Sequence, residues 1–362
     1  MFSLKTRNIY YRLLFYPAVL PAVLIFLFSC NEKKEDRLVE RSFYYWRSVL
    51  KLTEFEKQQL DSLKVRTIYI KFFDVDWNEE SRSPVPVAKL QTTNYKVPET
   101  IQVIPTVFIT NECIQKIDSS QVAELASRIH TLIQDIRGSN SFNSIKEIQI
   151  DCDWTQATKE KYFRLLNNLK LILSVAEGKT PNFKLSSTIR LHQIKFLAKT
   201  GVPPVDCGLL MCYNMGNLKN PATNNSILET EELKKYIGNL SNYPLPLDVA
   251  FPLFDWKVLY RNNTYTGLIQ NLPDKNLTDA FTIRAGNRYE ILKDTLLNGF
   301  DLKKGDIIRN EQCDVKEILS AAAEVNRLLK NTQLRVSLYH LDSVILNKYT
   351  THELESIYNS LR

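Results

Sequence analysis

The stretch KEIQIDCDWTQ, residues 146–156, carries the side chains most open to chemistry. Polar and apolar residues alternate through Gln149, Ile150, Asp151, Cys152 and Asp153, so a β-strand here points Asp151 and Asp153 to one face, one strand repeat apart. Two carboxylates on an otherwise apolar strand are costly to bury unless something pairs with them or uses them. A cation on a neighbouring strand, Arg190 or Lys71, would make an ordinary ion pair of them, whereas a second acid nearby would open general acid–base chemistry. Glu311 is the first candidate for that acid, since GDIIRNEQCD (305–314) presents Arg309 and Glu311 on one face of an extended run. Asp74 and Asp76 are further candidates, and the plainer reading of Glu311 is a solvated loop acid or a charge at a helix N-terminus.

These residues need a scaffold, and the chain supplies one by alternation. Short β-branched or aromatic runs fall at 43–48, 65–75, 101–110, 147–154, 184–191, 207–216, 246–256 and 334–343. Helical stretches separate them: 54–63, opened by Thr53 and Glu56 in capping-box spacing; about 119–136, where Val122, Leu125, Ile129, Leu132, Ile133 and Ile136 form one stripe; about 156–175; and one near 229–240. Thr155 is expected to N-cap the helix after the acidic strand. Eight strands in such a series predict an α/β fold, a (β/α)₈ TIM barrel, with a doubly wound open sheet as the alternative. Residues 257–304, rich in Tyr, Thr, Asn and Gly, break the rhythm. They predict a small β-rich insertion between the seventh and eighth strands that walls one side of a cleft.

With the strands so numbered, QIDCDW lies on the fourth and MCYNMG on the sixth, and the placement resembles the chitinase-like (family 18) glycoside hydrolases. That family carries D-x-x-D-x-D-x-E on its fourth strand and M-x-Y-D on its sixth. Asp151, Asp153 and Trp154 match the core of the first motif, Met211 and Tyr213 match the second, and DVAFPLFDW (248–256) is similar to the seventh strand. The resemblance implies that Asp153 and Tyr213 hold the 2-acetamido group of a sugar. It also marks departures. Thr155 stands where the family has the glutamic acid that protonates the leaving oxygen, Ile148 replaces the first aspartate, and Asn214 replaces the aspartate of the sixth strand.

A glycosidase needs two carboxyl groups flanking the bond, so hydrolysis would require Asp153, with Asp151 beside it, to work with a relocated acid such as Glu311. Flat sugar faces stack on aromatic rings, and Trp46, Trp256 and Tyr339 are the expected platforms, with Asn214 and Arg309 as further substrate contacts. Trp154 alternates away from Asp153 and is expected in the core; His340 could donate to a sugar hydroxyl or be bonded within the core. Three readings follow: a glycoside hydrolase, a non-catalytic glycan-binding barrel, and an assembly lipoprotein whose cleft takes a protein. No phosphate-binding, dinucleotide or zinc-protease motif occurs, and four scattered histidines suggest no metal site, so no cofactor is expected.

The N-terminus addresses location. Lys5, Arg7 and Arg12 precede an apolar run from Leu13 to Phe28 that ends in LFSC at Cys30, a secretory signal over 1–29 with a lipobox-like end. A plain signal peptide or an N-terminal membrane helix is the alternative. Cys30 is then the lipidated residue, 30–40 a charged tether and 41–362 the barrel domain with its insertion, held at a bacterial cell envelope through the lipid. Losing three basic residues and no acidic ones takes the formal charge from +7 to +4. With no clustered basic run, nucleic acid is not an expected partner; a glycan and a membrane are, and the chain is expected to be a monomer. The five remaining cysteines are scattered, without a C-x-x-C pair, which argues against a disulfide framework.

Overall fold

The computed structural model describes residues 37–362 apart from 92–95, 141, 143–144, 177–182 and 271. The signal segment 1–29, Cys30 and the first part of the tether lie outside the described residues. Among those described, no helix is long and apolar enough to cross a membrane, and Arg37–Arg362 form one compact unit.

Eight parallel strands close into a barrel: β1 (Leu38–Tyr45), β2 (Thr67–Asn78), β4 (Gln102–Ile109), β5 (Glu147–Cys152), β6 (Lys184–Arg190), β7 (Cys207–Met211), β8 (Leu247–Pro252) and β16 (Gln333–Tyr339). Each pairs with the next, β16 returns to β1, and β1 pairs with β2 through Ser42–Thr67 to Tyr45–Ile70, which closes the ring. The strands are β-branched and aromatic, buried along nearly their whole length between the barrel interior and the outer helices, as a parallel sheet covered on both faces requires. Between them run the helices Glu54–Ser62, Val122–Ser139, Lys159–Ala176 and Val315–Leu328, with shorter turns after β6 and β7. Thr53 and Glu56 complete the expected capping box, and Thr350 and Glu353 make a second one at Thr351–Asn359.

Boundaries differ from expectation where a local rule competes. β1 begins at Leu38, so the last residues assigned to the tether, 38–40, are strand: Val39 and Glu40 pair with Leu334 and Arg335, and the charged Glu40 and Arg41 are carried in the ladder. The helix expected from 156 begins at Lys159. Thr155 still accepts the amide of Lys159 through its carbonyl (3.0 Å), but its hydroxyl makes no cap, and Thr158 occupies the residue before the helix. A hairpin strand, β3 (Ser83–Val87), pairs antiparallel with β2; Pro84 and Pro86 disguise it, and both sit on a sheet edge where a missing N–H is tolerated.

The insertion runs from β9 (Trp256–Arg261) to β15 (Ile307–Glu311), beyond the 257–304 expected. With β10 (Thr264–Ile269), β11 (Thr282–Ala285) and β12 (Arg288–Ile291) these make a five-stranded antiparallel sheet, and β13 (Thr295–Leu297) pairs with β14 (Phe300–Leu302) as a separate hairpin. It has a core of its own, including Leu259, Ile269, Phe281, Tyr289, Ile291 and Ile308. β9 leaves three residues after β8 ends, which sets the insertion on the face where the barrel strands finish.

Candidate functional site

The carboxyl ends of the barrel strands and the near edge of the insertion enclose a cleft of about 1390 Å³. Period-two alternation on β5 does what the sequence implied: Asp151 and Asp153 both reach it. Asp151 is 2 % exposed and accepts from the Thr188 hydroxyl (2.6 Å) and from Arg190 Nη2 (3.1 Å). Asp153, half exposed, pairs with Nε of the same arginine. One guanidinium at the end of β6 is therefore shared by both carboxylates. Burial raises the Asp151 pKa above the ordinary carboxylate value, with the Asp153 charge adding and Arg190 and Thr188 opposing. Burial alone would lower Arg190, but the two aspartates outweigh it and hold it above its usual value, so it stays charged.

Aromatic rings form a wall across the cleft. Trp46 and Tyr339 lie 5.9 Å apart between ring centroids, Tyr339 and Phe254 5.7 Å, and Phe254 and Trp256 5.2 Å. Tyr213 packs on Tyr339 at 5.4 Å and on the edge of Phe254 at 6.0 Å. All five line the cleft, as does Asn214, whose positive φ of 55° turns the chain away from β7 while its amide donates to the Ile227 carbonyl (2.8 Å). Among the described residues, three buried polar atoms on this lining have no partner: Tyr213 Oη, Asp74 Oδ1 and His340 Nδ1. The other oxygen of Asp74 accepts from Lys71 at 2.9 Å, and the Lys71 ammonium lies 5.7 Å from the Trp46 ring centroid. Burial lowers the His340 pKa.

Glu311 and Arg309 are placed elsewhere. Both are fully buried in β15 and neither lines the cleft. Glu311 accepts from Arg309 Nε (2.5 Å), from the Ser226 amide and hydroxyl (2.9 and 2.5 Å) and from Trp256 Nε1 (2.7 Å). Arg309 donates to the Asn220 carbonyl (2.9 Å) and lies over the Tyr260 ring. The pair ties the insertion to the loop after β7 and orients Trp256. Gly216 lets that loop close, because a Cβ there would lie 2.8 Å from Ser226 Cα. A sugar hydroxyl has no access to either residue, so the expected roles of Glu311 as acid and Arg309 as substrate contact are not what this geometry offers. Thr155 is exposed and does not line the cleft, and Trp154 is fully buried, stacked on Tyr162, with its indole donating to the Thr200 carbonyl.

Phe254 and the Lys348–Asp255 pair also line the cleft, and the sequence reading passed over them. Phe254 carried a signal, since it alternates with Trp256 just past β8; the pairing of Lys348 with Asp255 bridges segments that no spacing rule connects. Among the described residues no group of three or more His, Cys, Asp or Glu side chains could hold a metal ion. Cys113, Cys152, Cys207, Cys212 and Cys313 are buried free thiols.

No protein-family model and no curated protein matches the chain. Solved structures do. The spore cortex-lytic enzyme SleL of Bacillus megaterium aligns over 91% of this chain and 76% of its own at 13% identity, with a TM-score of 0.55. A chitinase-like agglutinin from Robinia pseudoacacia aligns over 88% and 99% at 13% identity (TM-score 0.53). A family 18 chitinase mutant from Cycas revoluta, in complex with (GlcNAc)4, aligns over 89% and 99% at 12% identity (TM-score 0.51). What these structures share with the chain is the fold, a TIM barrel.

Proposed function

We propose that this chain is a surface-anchored lipoprotein whose barrel binds a glycan in the cleft and does not hydrolyse it. The carrying observation is the pairing of the β5 carboxylates: Arg190 already engages Asp151 and Asp153 together. Thr155 holds the place of the family's proton donor, and Glu311 is enclosed by four donors. What remains is suited to holding a sugar, namely the aromatic wall and the unpartnered polar atoms of Tyr213, Asp74 and His340. An agglutinin on this fold supports binding without turnover, and the (GlcNAc)4 complex of the chitinase mutant supports N-acetylglucosamine oligomers as the first ligands to try. The lipid anchor is supported by the basic–apolar leader ending at Cys30.

Asp74 favours a second reading, in which this cleft acid with its unpartnered oxygen donates a proton and the protein is a hydrolase. Titration calorimetry with N-acetylglucosamine oligomers and other polysaccharides, beside a reducing-end assay, separates the two. Binding that weakens in Asp153→Asn, with no new reducing ends from the wild type, is the expected result. Turnover abolished by Asp74→Asn would overturn it in favour of the hydrolase.

A further inference from the structure

The two ends of the barrel carry opposite charge. Around the cleft stand Asp74, Asp151, Asp153, Asp255, Asp274, Asp314 and Glu353 against Arg190, Lys316 and Lys348 and the paired Lys71 and Lys257, an excess of two acids (seven less five). At the other end, where the strands begin, six exposed cations ring the barrel: Lys64 and Arg66 before β2, Lys146 before β5, Lys184 opening β6, Lys330 before β16, and Arg362 at the C-terminus. Among the described residues Asp61, Glu99 and Asp135 are exposed acids of that end without a cation, and the terminal carboxylate offsets Arg362, so the excess there is two positive charges (six less four). Among the described residues none of the six is paired with an acid. Backbone bonds join their segments: the Lys184 amide donates to the Lys146 carbonyl (2.9 Å) and the Gln102 amide to that of Arg66 (2.8 Å).

Two further observations fall on the same end. The chain enters here, because β1 starts at Leu38 and Arg37 is pinned, donating to the carbonyls of Asn331 (2.7 Å), Leu329 (2.9 Å) and Leu361 (3.1 Å). Six residues separate Cys30 from Arg37, and the seven steps between them reach about 25 Å when fully extended. Exposed apolar side chains also gather here: Leu38 is 68 % exposed, and Val175, in the last turn of the helix Lys159–Ala176 that ends on this face, is 82 % exposed. Cations interspersed with exposed apolar side chains are the composition of a surface that lies on anionic lipid.

We infer that the N-terminal end of the barrel docks on anionic lipid headgroups and turns the cleft away from the membrane. The inference rests on the lipid-anchor part of the proposed function: a short tether attached at this end brings this face to the bilayer. The acidic cleft end is repelled by the same surface, so charge and tether select one orientation.

Amide hydrogen exchange on the full chain, on vesicles of phosphatidylglycerol and phosphatidylcholine and on phosphatidylcholine alone, tests it. Protection of segments 60–66, 145–147 and 329–332 on the anionic vesicles only, with the cleft loops unchanged, is expected. In the variant Lys64→Glu/Lys146→Glu/Lys184→Glu/Lys330→Glu that protection should vanish, and partition of unlipidated chain should fall about fivefold per cation removed. Equal exchange on both vesicles, protection at the cleft, or equal protection by soluble heparin would each overturn the inference. The mass of the Cys30 peptide reads the anchor separately: an unmodified cysteine sinks the lipoprotein reading, while unlipidated chain still tests the surface.

Discussion

Each end of the barrel holds one arginine between carboxylates, and the two clamps differ in what they leave open. At the strand beginnings Arg335 of β16 reaches Glu40 of β1 (3.0 Å), Glu147 of β5 (3.0 Å), Tyr69 of β2 (2.8 Å) and Asp248 of β8 (3.6 Å), crossing the interior to bind four strands. At the strand ends Arg190 holds Asp151 and Asp153 and donates to Met211 Sδ, and the unpartnered atoms of Tyr213, Asp74 and His340 belong to the same cleft lining. The first clamp ties four strands together and is structural; its one buried unpartnered atom, Glu147 Oε1, lies outside the cleft. The second is a floor with free hydrogen-bonding capacity above it, and the difference marks which end meets a ligand.

The largest effect should come from breaking the closed clamp. Arg335→Met strands buried carboxylates without a counter-charge and should cost about 3–5 kcal/mol in urea unfolding. Arg190→Met should cost less, about 1–3 kcal/mol, because Asp153 is half solvated and Asp151 keeps the Thr188 hydroxyl as a donor; it should also abolish glycan binding in calorimetry. If the two substitutions cost the same, the distinction between the ends fails. Trp46→Ala should weaken oligosaccharide binding about tenfold while Arg335→Met, measured at a temperature where it remains folded, leaves affinity unchanged.

The smallest effect is a pH dependence of the closed end. Burial lifts the Asp248 carboxyl from 3.8 to about 6, with Arg335 opposing and Glu147 adding. A carboxyl raised on folding stabilises the barrel fully below its unfolded value and loses that contribution as pH rises through about 6. Thermal melts should therefore show the barrel about 1 kcal/mol less stable at pH 7.5 than at pH 5 from this group, a slope that Asp248→Asn removes.

All eight barrel strands were legible because each is a compact β-branched or aromatic run, and because the alternation of strands with helices leaves few folds to choose from. Asp151 and Asp153 were legible for the same reason, period two on β5, and Arg190 was foreseen as a plain ionic partner. Glu311 was misjudged because extended polar sequence near a helix reads the same whether solvated or enclosed. Only the cross-strand register that sets Glu311 opposite Trp256 reveals its burial, and register between β9 and β15 is a long-range fact. β3 was hidden by its prolines, and the start of β1 by the polar Glu40, Arg41 and Ser42 that part Leu38 and Val39 from the aromatic run.

The buried hub at Glu311 has a consequence for engineering. Because Trp256 is positioned through the β9–β15 pairing and the loop after β7, the outer hairpin β13–β14, with Leu296 at 76 % exposure, is mechanically remote from the aromatic wall. Foreign loops or epitope tags grafted at its tip should display outward without retuning the sugar platform, which makes that hairpin the natural handle on this scaffold.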